Sequence, residues 1–299
     1  MSPVVLAASR RVLARVLVVA AAAATVVSCG DDDAGPPFVV GAGDAVESRV
    51  LAEIYAGALS RTGLPVAVLP DLGARAEYLA ALDAGRVALV GEHTGELLAH
   101  YNSGSAARTP SDVVKDLNRS LPEGLVVSDP ADGTDLRPRV LVTAEAARRD
   151  DVDSVAELVP RCAELRAGLA PAPDVSRGPA VAQVAGCDFA GETPFADAEA
   201  LRNALLDNSI QAGVVGGPSA LTAPVTEGLT VLTDADYAVR AENVVPVFRK
   251  GLLDDQRVRK LNYVAGELTT DELVDMIRRV RDGAAAGEVA RAWLDAHGL

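Results

Sequence analysis

Histidines at positions 93, 100 and 297 are the whole imidazole complement of this 299-residue chain. General acid–base chemistry would therefore fall on carboxylates, and no two of them pair convincingly along the sequence. The chain has neither a Gly-x-x-x-x-Gly-Lys-Ser/Thr phosphate loop nor a His-Glu-x-x-His motif. Gly217-Pro218-Ser219-Ala220-Leu221 approaches a nucleophile elbow but lacks the closing glycine, and its proline spoils the turn. Glu92, Glu96 and His100 follow one another at helix spacing. On a helix the outer two would lie about 12 Å apart along the axis, too far to converge on one metal ion. They read as a solvated helix face. Gly41-Ala42-Gly43-Asp44 is different: at a strand end before a helix, its backbone N–H groups could hold a carboxylate or other anion, although a tight turn also accounts for it. The residues thus point to binding rather than catalysis, with no cofactor and no metal.

The elements that would position these groups are clearest between Phe38 and Val90. Phe38–Gly41 reads as a buried strand, and Val46, Val50, Leu51, Ile54, Ala58 and Leu59 recur at helix spacing until Gly63. Pro65–Leu69 is a second strand. Asp71-Leu72-Gly73 turns the chain into a helix with Tyr78, Leu79 and Leu82 on one face, and after Gly85 comes a third strand, Val87–Val90. Turns this short imply parallel pairing, right-handed crossovers and ligands at the carboxyl ends of the strands. Further strands are expected at Leu125–Val127, Val140–Val142, Gln211–Val215 and Leu229–Leu232, with Val244–Phe248 extended because Pro246 bars a helix interior. Helices are expected near Val155 and over 198–206, 254–264, 270–281 and 287–297. The natural crossovers between lobes lie near 130–140 and 240–248.

The N-terminus carries Arg10, Arg11 and Arg15, then an apolar run from Val16 to Val27 and Ser28-Cys29. This is the pattern of a removable export signal, and the run is short of the ~20 residues a membrane span needs. Val26-Val27-Ser28-Cys29 is similar to a bacterial lipobox. It makes Cys29 the lipid anchor, residues 1–28 the signal and residues 29–37 a polar tether. The net charge of −14 becomes about −17 once a signal with three arginines and no acid is gone. An acidic surface of that kind repels nucleic acid, which is excluded as a partner. Beyond Cys29 the cysteines are Cys162 and Cys187. In an oxidising compartment they read as one disulfide, contributing roughly 3 kcal/mol through the unfolded chain.

Val39-Val40-Gly41-Ala42-Gly43-Asp44 with Glu47, Glu53, Ile54 and Tyr55 resembles the start of the glycine betaine/carnitine/choline-type substrate-binding proteins of ABC importers. So do Asp71-Leu72-Gly73 and the run from Ala81 to Gly95. Asp129-Pro130-Ala131, the Pro/Arg stretch ending at Arg177, and Asn243-Val244-Val245-Pro246-Val247 continue the match in order. The likeness covers essentially the mature chain and is greatest to an actinobacterial branch of osmoprotectant-binding lipoproteins.

The resemblance implies an α/β, two-lobed periplasmic-binding-protein-like (type II) fold with two crossover segments. Lobe 1 would be 38–138 plus 240–299, and lobe 2 would be 139–239. It implies a non-enzymatic, monomeric receptor, lipid-anchored outside the cell membrane, that hands a small solute to a permease and a separate ATPase. A non-transport sensor or scaffold that keeps the fold is the alternative. The family cages a quaternary ammonium with tyrosines. The four corresponding positions here fall at His93, Arg137–Arg139, Gly216 and Glu242. The cleft is therefore expected to be polar and to prefer a zwitterionic, anionic or hydroxyl-rich solute. Gly43, Asp44, His93, Thr94, Arg137, Arg177, Glu242 and Asn243 are the expected contacts, and Asn243 with Val244–Val247 is the expected hinge.

Overall fold

The described residues of a computed structural model, 36–171, 184–220 and 223–299, build two five-stranded sheets flanked by helices. The chain runs β1 (Phe38–Gly41), α1 (Val46–Ser60), β2 (Val66–Leu69), α2 (Arg75–Asp83), β3 (Leu89–His93), α3 (Thr94–Tyr101), α4 (Pro110–Ser120) and β4 (Leu125–Val127). It then passes into β5 (Arg139–Thr143), α5 (Ala144–Asp150), α6 (Val155–Leu158), β6 (Arg166–Ala170), β7 (Gly191–Pro194), α7 (Ala198–Leu206), β8 (Ala212–Val215), α8 (Ala223–Thr226) and β9 (Leu229–Val231). It returns through β10 (Val244–Arg249) and ends in α9 (Asp255–Glu267), α10 (Thr270–Arg281) and α11 (Ala286–Ala296).

The first sheet has the order β2-β1-β3-β10-β4 and the second β7-β6-β8-β5-β9. In each, three neighbouring strands run parallel, and one strand that follows a connection from the other sheet enters antiparallel: β10 against β3 and β4, β5 against β8 and β9. This repeated plan is the type II two-lobed architecture that the resemblance implies. Signal, tether through Gly35, Cys29 and Arg177 lie outside the described residues. Among those described, no helix is long and apolar enough to cross a membrane.

Local rules explain most elements. Gly63 and Gly85 take positive φ just past α1 and α2, where a left-handed residue ends a helix at no steric cost. Thr109 caps α4 through the Asp112 N–H with Pro110 at the first helical position. Thr269 and Glu272 form a reciprocal capping box on α10. Helix α1 is the hub of the first lobe. Val50, Leu51, Ile54, Ala58 and Leu59 are each no more than 1% exposed, and it packs against α9, α10 and α11. At Gly57 a Cβ would sit 2.6 Å from Leu294 Cδ1, so glycine there permits the close approach of α11. Cys162 and Cys187 are disulfide-bonded across 25 residues, tying the segment before β6 to the one before β7.

Two expectations need correction. The third strand begins at Leu89 and continues through His93, so Glu92 belongs to a buried strand and makes no helical stripe with Glu96 and His100. Val244–Val247 is not a free connecting segment: it lies inside β10, paired with β3 from Val244↔His93 to Phe248↔Leu89. Pro246 is tolerated because pairing with β4 starts only at Val247, which leaves that side of Pro246 without a ladder to break. The connections between the sheets are 128–138 and 232–243.

Candidate functional site

Topology places the expected contacts before any side chain is considered. In the first sheet β1 and β3 end, and β10 begins, at one edge, as the register of Val244 with His93 shows. Gly43, Thr94 and Asn243 follow or precede these neighbouring strand ends. In the second sheet Arg139 pairs with Val215, which sets the start of β5 beside the end of β8. The connections 128–138 and 232–243 join these two edges. All four positions at which the resemblance calls for tyrosine therefore lie where the two sheets' strand ends are linked.

Backbone bonds knit this edge of the first sheet. Gly43 N donates to Ser48 Oγ at 2.8 Å. A Cβ on Gly43 would sit 2.7 Å from both the Gly73 carbonyl oxygen and Tyr78 Cδ1, so only glycine fits. Exposed Asp44 accepts from Gly73 N at 3.1 Å. Thr94 N donates to the Asn243 carbonyl at 2.9 Å, and Thr94 Oγ1 accepts from Asn243 N at 3.1 Å.

Beneath lies a buried ionic network that sequence reasoning missed. His93 Nε2 is 2.9 Å from Glu47 Oε1, with both side chains almost inaccessible. Glu92, 2% exposed, accepts from Arg75 Nε at 2.9 Å, Arg75 Nη2 at 3.1 Å, Tyr78 Oη at 2.5 Å and the His93 N–H at 3.0 Å. Arg75 also donates to Glu96 at 2.8 Å. Burial alone would push the Glu92 carboxyl up, but the Arg75 guanidinium and the Arg75 and Tyr78 hydrogen bonds outweigh it and hold the group below the usual carboxylate range. The one local signal was Arg75 at the first turn of α2, two residues after Gly73; its partner lies 17 residues on.

Glu242 and Arg137 are also engaged. Glu242 Oε2 accepts from the Gly95 and Glu96 N–H groups, each at 3.1 Å, at the N-terminus of α3. Arg137 donates two bonds to Asp135, both 2.9 Å, and others to the Asp234 carboxylate at 3.0 Å and carbonyl at 2.9 Å, with Tyr237 4.4 Å beneath its guanidinium. Asn243 Nδ2 donates to the Thr134 carbonyl at 2.5 Å. These bonds lace one connection to the other. Around them lies a cavity of about 550 Å³, lined by Arg137, Tyr237, Glu242 and Asn243 with Asp132 and Asp135. The structure thus brings Arg137, Glu242 and Asn243 to one cavity and Gly43, His93 and Thr94 to the neighbouring strand ends. Gly216, buried after β8, donates its N–H to the Ala170 carbonyl at 2.9 Å.

Residues 36–296 match the family model of the substrate-binding domain of ABC-type glycine betaine transport systems, OpuAC. The chain belongs to this family. Solved structures carry the same fold at low identity. One, a glycine betaine/carnitine/choline ABC transporter protein, superposes with a TM-score of 0.66 at 18% identity, covering 87% of this chain and 98% of its own. Apo YehZ from Escherichia coli gives 0.63 at 19%, covering 88% and 99%. The glycine/betaine/L-proline-binding protein ProX from Borrelia burgdorferi gives 0.53 at 12%, covering 87% and 93%. None of the curated proteins compared with the chain matches it.

Membership in the OpuAC family makes the chain a substrate-binding protein of an ABC-type osmoprotectant transporter family and not an enzyme. Binding proteins of this family take small solutes outside the cytoplasm and work with permease and ATPase components. Among the described residues no histidine, cysteine or carboxylate group is arranged to hold a metal ion.

Proposed function

We propose that this chain captures a small polar solute between its two lobes and delivers it to the permease and ATPase of an ABC importer. Cys29 anchors it by lipid to the outer face of the cell membrane, and it works as a monomer. The division into lobe 1 (38–138 plus 240–299) and lobe 2 (139–239) follows the membership of the two sheets. Gly43, Asp44, His93, Thr94, Arg137, Arg177, Glu242 and Asn243 frame the solute. One observation supports the reading: the four positions to which the resemblance assigns tyrosines hold imidazole, guanidinium, glycine and carboxylate groups at His93, Arg137–Arg139, Gly216 and Glu242. Such a set offers hydrogen bonds and charge instead of the aromatic faces that hold a quaternary ammonium. Closure follows from the solute binding the closed form better.

The test is calorimetric titration of the purified chain with glycine betaine, choline and carnitine against a panel of zwitterionic, anionic and hydroxyl-rich solutes. Saturable binding within the panel, with the three quaternary ammoniums weaker, supports the proposal. Tight glycine betaine or choline binding that is lost in His93→Ala or Glu242→Ala overturns the polar preference. A second reading, a sensor or scaffold that has left transport, draws support from the engagement of Arg137 and Glu242 by the chain itself. No rise in melting temperature with any solute would favour it.

A further inference from the structure

A second cavity, of about 660 Å³, lies in the lobe built on the second sheet. It opens beside Thr143 at the end of β5 and Gln211 just before β8. Because β5 is antiparallel to β8, this is the edge opposite to the one where Arg139 and Gly216 stand. The volume is within the range of about 300–1,000 Å³ typical of small-molecule pockets. Helix α5 contributes Ala144, Ala146 and Ala147 to the lining, and none of its seven residues is fully buried. Larger residues at these positions would fill the open space.

The lining has two chemistries. Its floor is apolar, with Val142, Leu158, Leu205 and Ile210, and Leu206 at its edge is 46% exposed. Its rim holds Arg148, Arg149 and Arg161. Asp150 pairs with Arg149 at 2.8 Å and with Arg161 at 3.1 Å. Arg148 pairs with no carboxylate among the described residues. The lining thus holds three guanidiniums against two carboxylates, Asp150 and Glu145, a local positive excess on a chain of net charge −14.

We infer that this cavity is a second binding site, distinct from the interlobe cleft, for an organic carboxylate with an apolar body. The carboxylate would pair with Arg148 and share the arginine rim with Asp150, which suits the planar fork of guanidinium. The apolar body would cover the floor beneath α5.

Octanoate is the probe, titrated into the purified chain beside octanamide and octyltrimethylammonium. Saturable 1:1 binding of octanoate is expected, roughly tenfold or more tighter than either comparator. It should weaken roughly tenfold or more in the Arg148→Ala/Arg161→Ala variant, and likewise in Ala147→Phe, which fills the space, while Glu242→Ala in the cleft leaves it unchanged. Melting curves establish that each variant is folded. No saturable binding, equal binding of the neutral or cationic comparator, or undiminished binding in a folded variant overturns the inference. A crystal with bromo-octanoate decides independently of any variant: bromine beneath α5 supports it, and bromine only elsewhere overturns it.

Discussion

Glu242 accepts a hydrogen bond from the backbone N–H of Gly95 at 3.1 Å, across 147 residues of sequence. The first amides of a helix have no partner within it, and a carboxylate there also meets the positive end of the helix dipole. The residue that should cap α3, His93, makes no side-chain cap bond. Glu242 supplies the cap from the second connection. A side chain on Gly95 would collide, since its Cβ would stand 2.5 Å from the Ala241 carbonyl and 2.7 Å from Glu242 Oε1. Glu242→Ala is expected to lower stability by about 1–2 kcal/mol. Glu242→Gln, which keeps an acceptor without the charge, should lose less. Urea unfolding measures both, and an unchanged midpoint for the alanine variant would refute the capping role.

The ionic network around Glu92 sets an acid limb of stability. Its carboxyl is held below the 4.5 of an ordinary glutamate, because Arg75 and Tyr78 outweigh the burial that would raise it. A depressed folded value means the stabilisation is complete above about pH 4.5 and is lost as pH falls through the lower folded value. The Glu92→Gln variant should therefore have a flatter stability profile below pH 4.5 than the parent chain. If the two profiles run parallel, Glu92 is not the group responsible.

Removing the other partner is harsher. Arg75→Ala leaves a buried carboxylate without its cation, a change that costs about 3–5 kcal/mol. Combining it with Glu92→Gln removes the stranded charge and should recover part of that loss. A double variant no more stable than Arg75→Ala alone would argue that the two residues are not coupled.

How far the sequence discloses this arrangement depends on the range of the interactions. Helix α10 is legible at both ends, Thr270 and Arg281, because its capping box and its apolar spacing are local. Strand β6 is not, since Arg166-Ala167-Gly168-Leu169-Ala170 carries little β-branched or alternating character and is held by β7 and β8. Glu92 looks solvated for the same reason: it and His93 can end a wholly buried strand only because Arg75 and Tyr78 reach Glu92 from α2 and Glu47 reaches His93 from α1. Val244–Val247 is readable as extended, but its partner strand ends at His93, far earlier in the sequence, so a central strand passes for a linker. That Arg137 and Glu242 spend hydrogen bonds on the chain itself was not legible, because Asp234 and the Gly95 and Glu96 amides come from distant segments and only Asp135 is local.

The disulfide offers a separate check on the second lobe. Cys162 and Cys187 close a loop of 25 residues. In the chain-entropy account such a loop contributes about 3 kcal/mol by restricting the unfolded state. The Cys162→Ala/Cys187→Ala variant, or the parent chain under reductant, should lose stability of that order in chemical denaturation. A loss well under 1 kcal/mol would mean that the closed loop adds little restraint.

Arg137 is where stability and motion meet. Its guanidinium joins Asp135 on the first connection to Asp234 and Tyr237 on the second. Any rotation of one sheet relative to the other must pass through segments 128–138 and 232–243. Burial would lower the affinity of the Arg137 guanidinium for its proton, yet the Asp135 and Asp234 carboxylates more than offset this, so it stays charged at any working pH. Arg137→Ala should cost about 1–3 kcal/mol, the value of hydrogen bonds to charged groups. Its larger effect should be kinetic, with amide exchange in both segments accelerated while the strands of either sheet keep their protection. Arg137→Lys should restore only part of that protection, because an ammonium cannot bond Asp135 in bidentate fashion and reach Asp234 at once. Hydrogen exchange resolved by segment tests this directly. Protection unchanged in both connections would show that the clamp does not govern them, and acceleration spread evenly over the molecule would indicate general destabilisation instead.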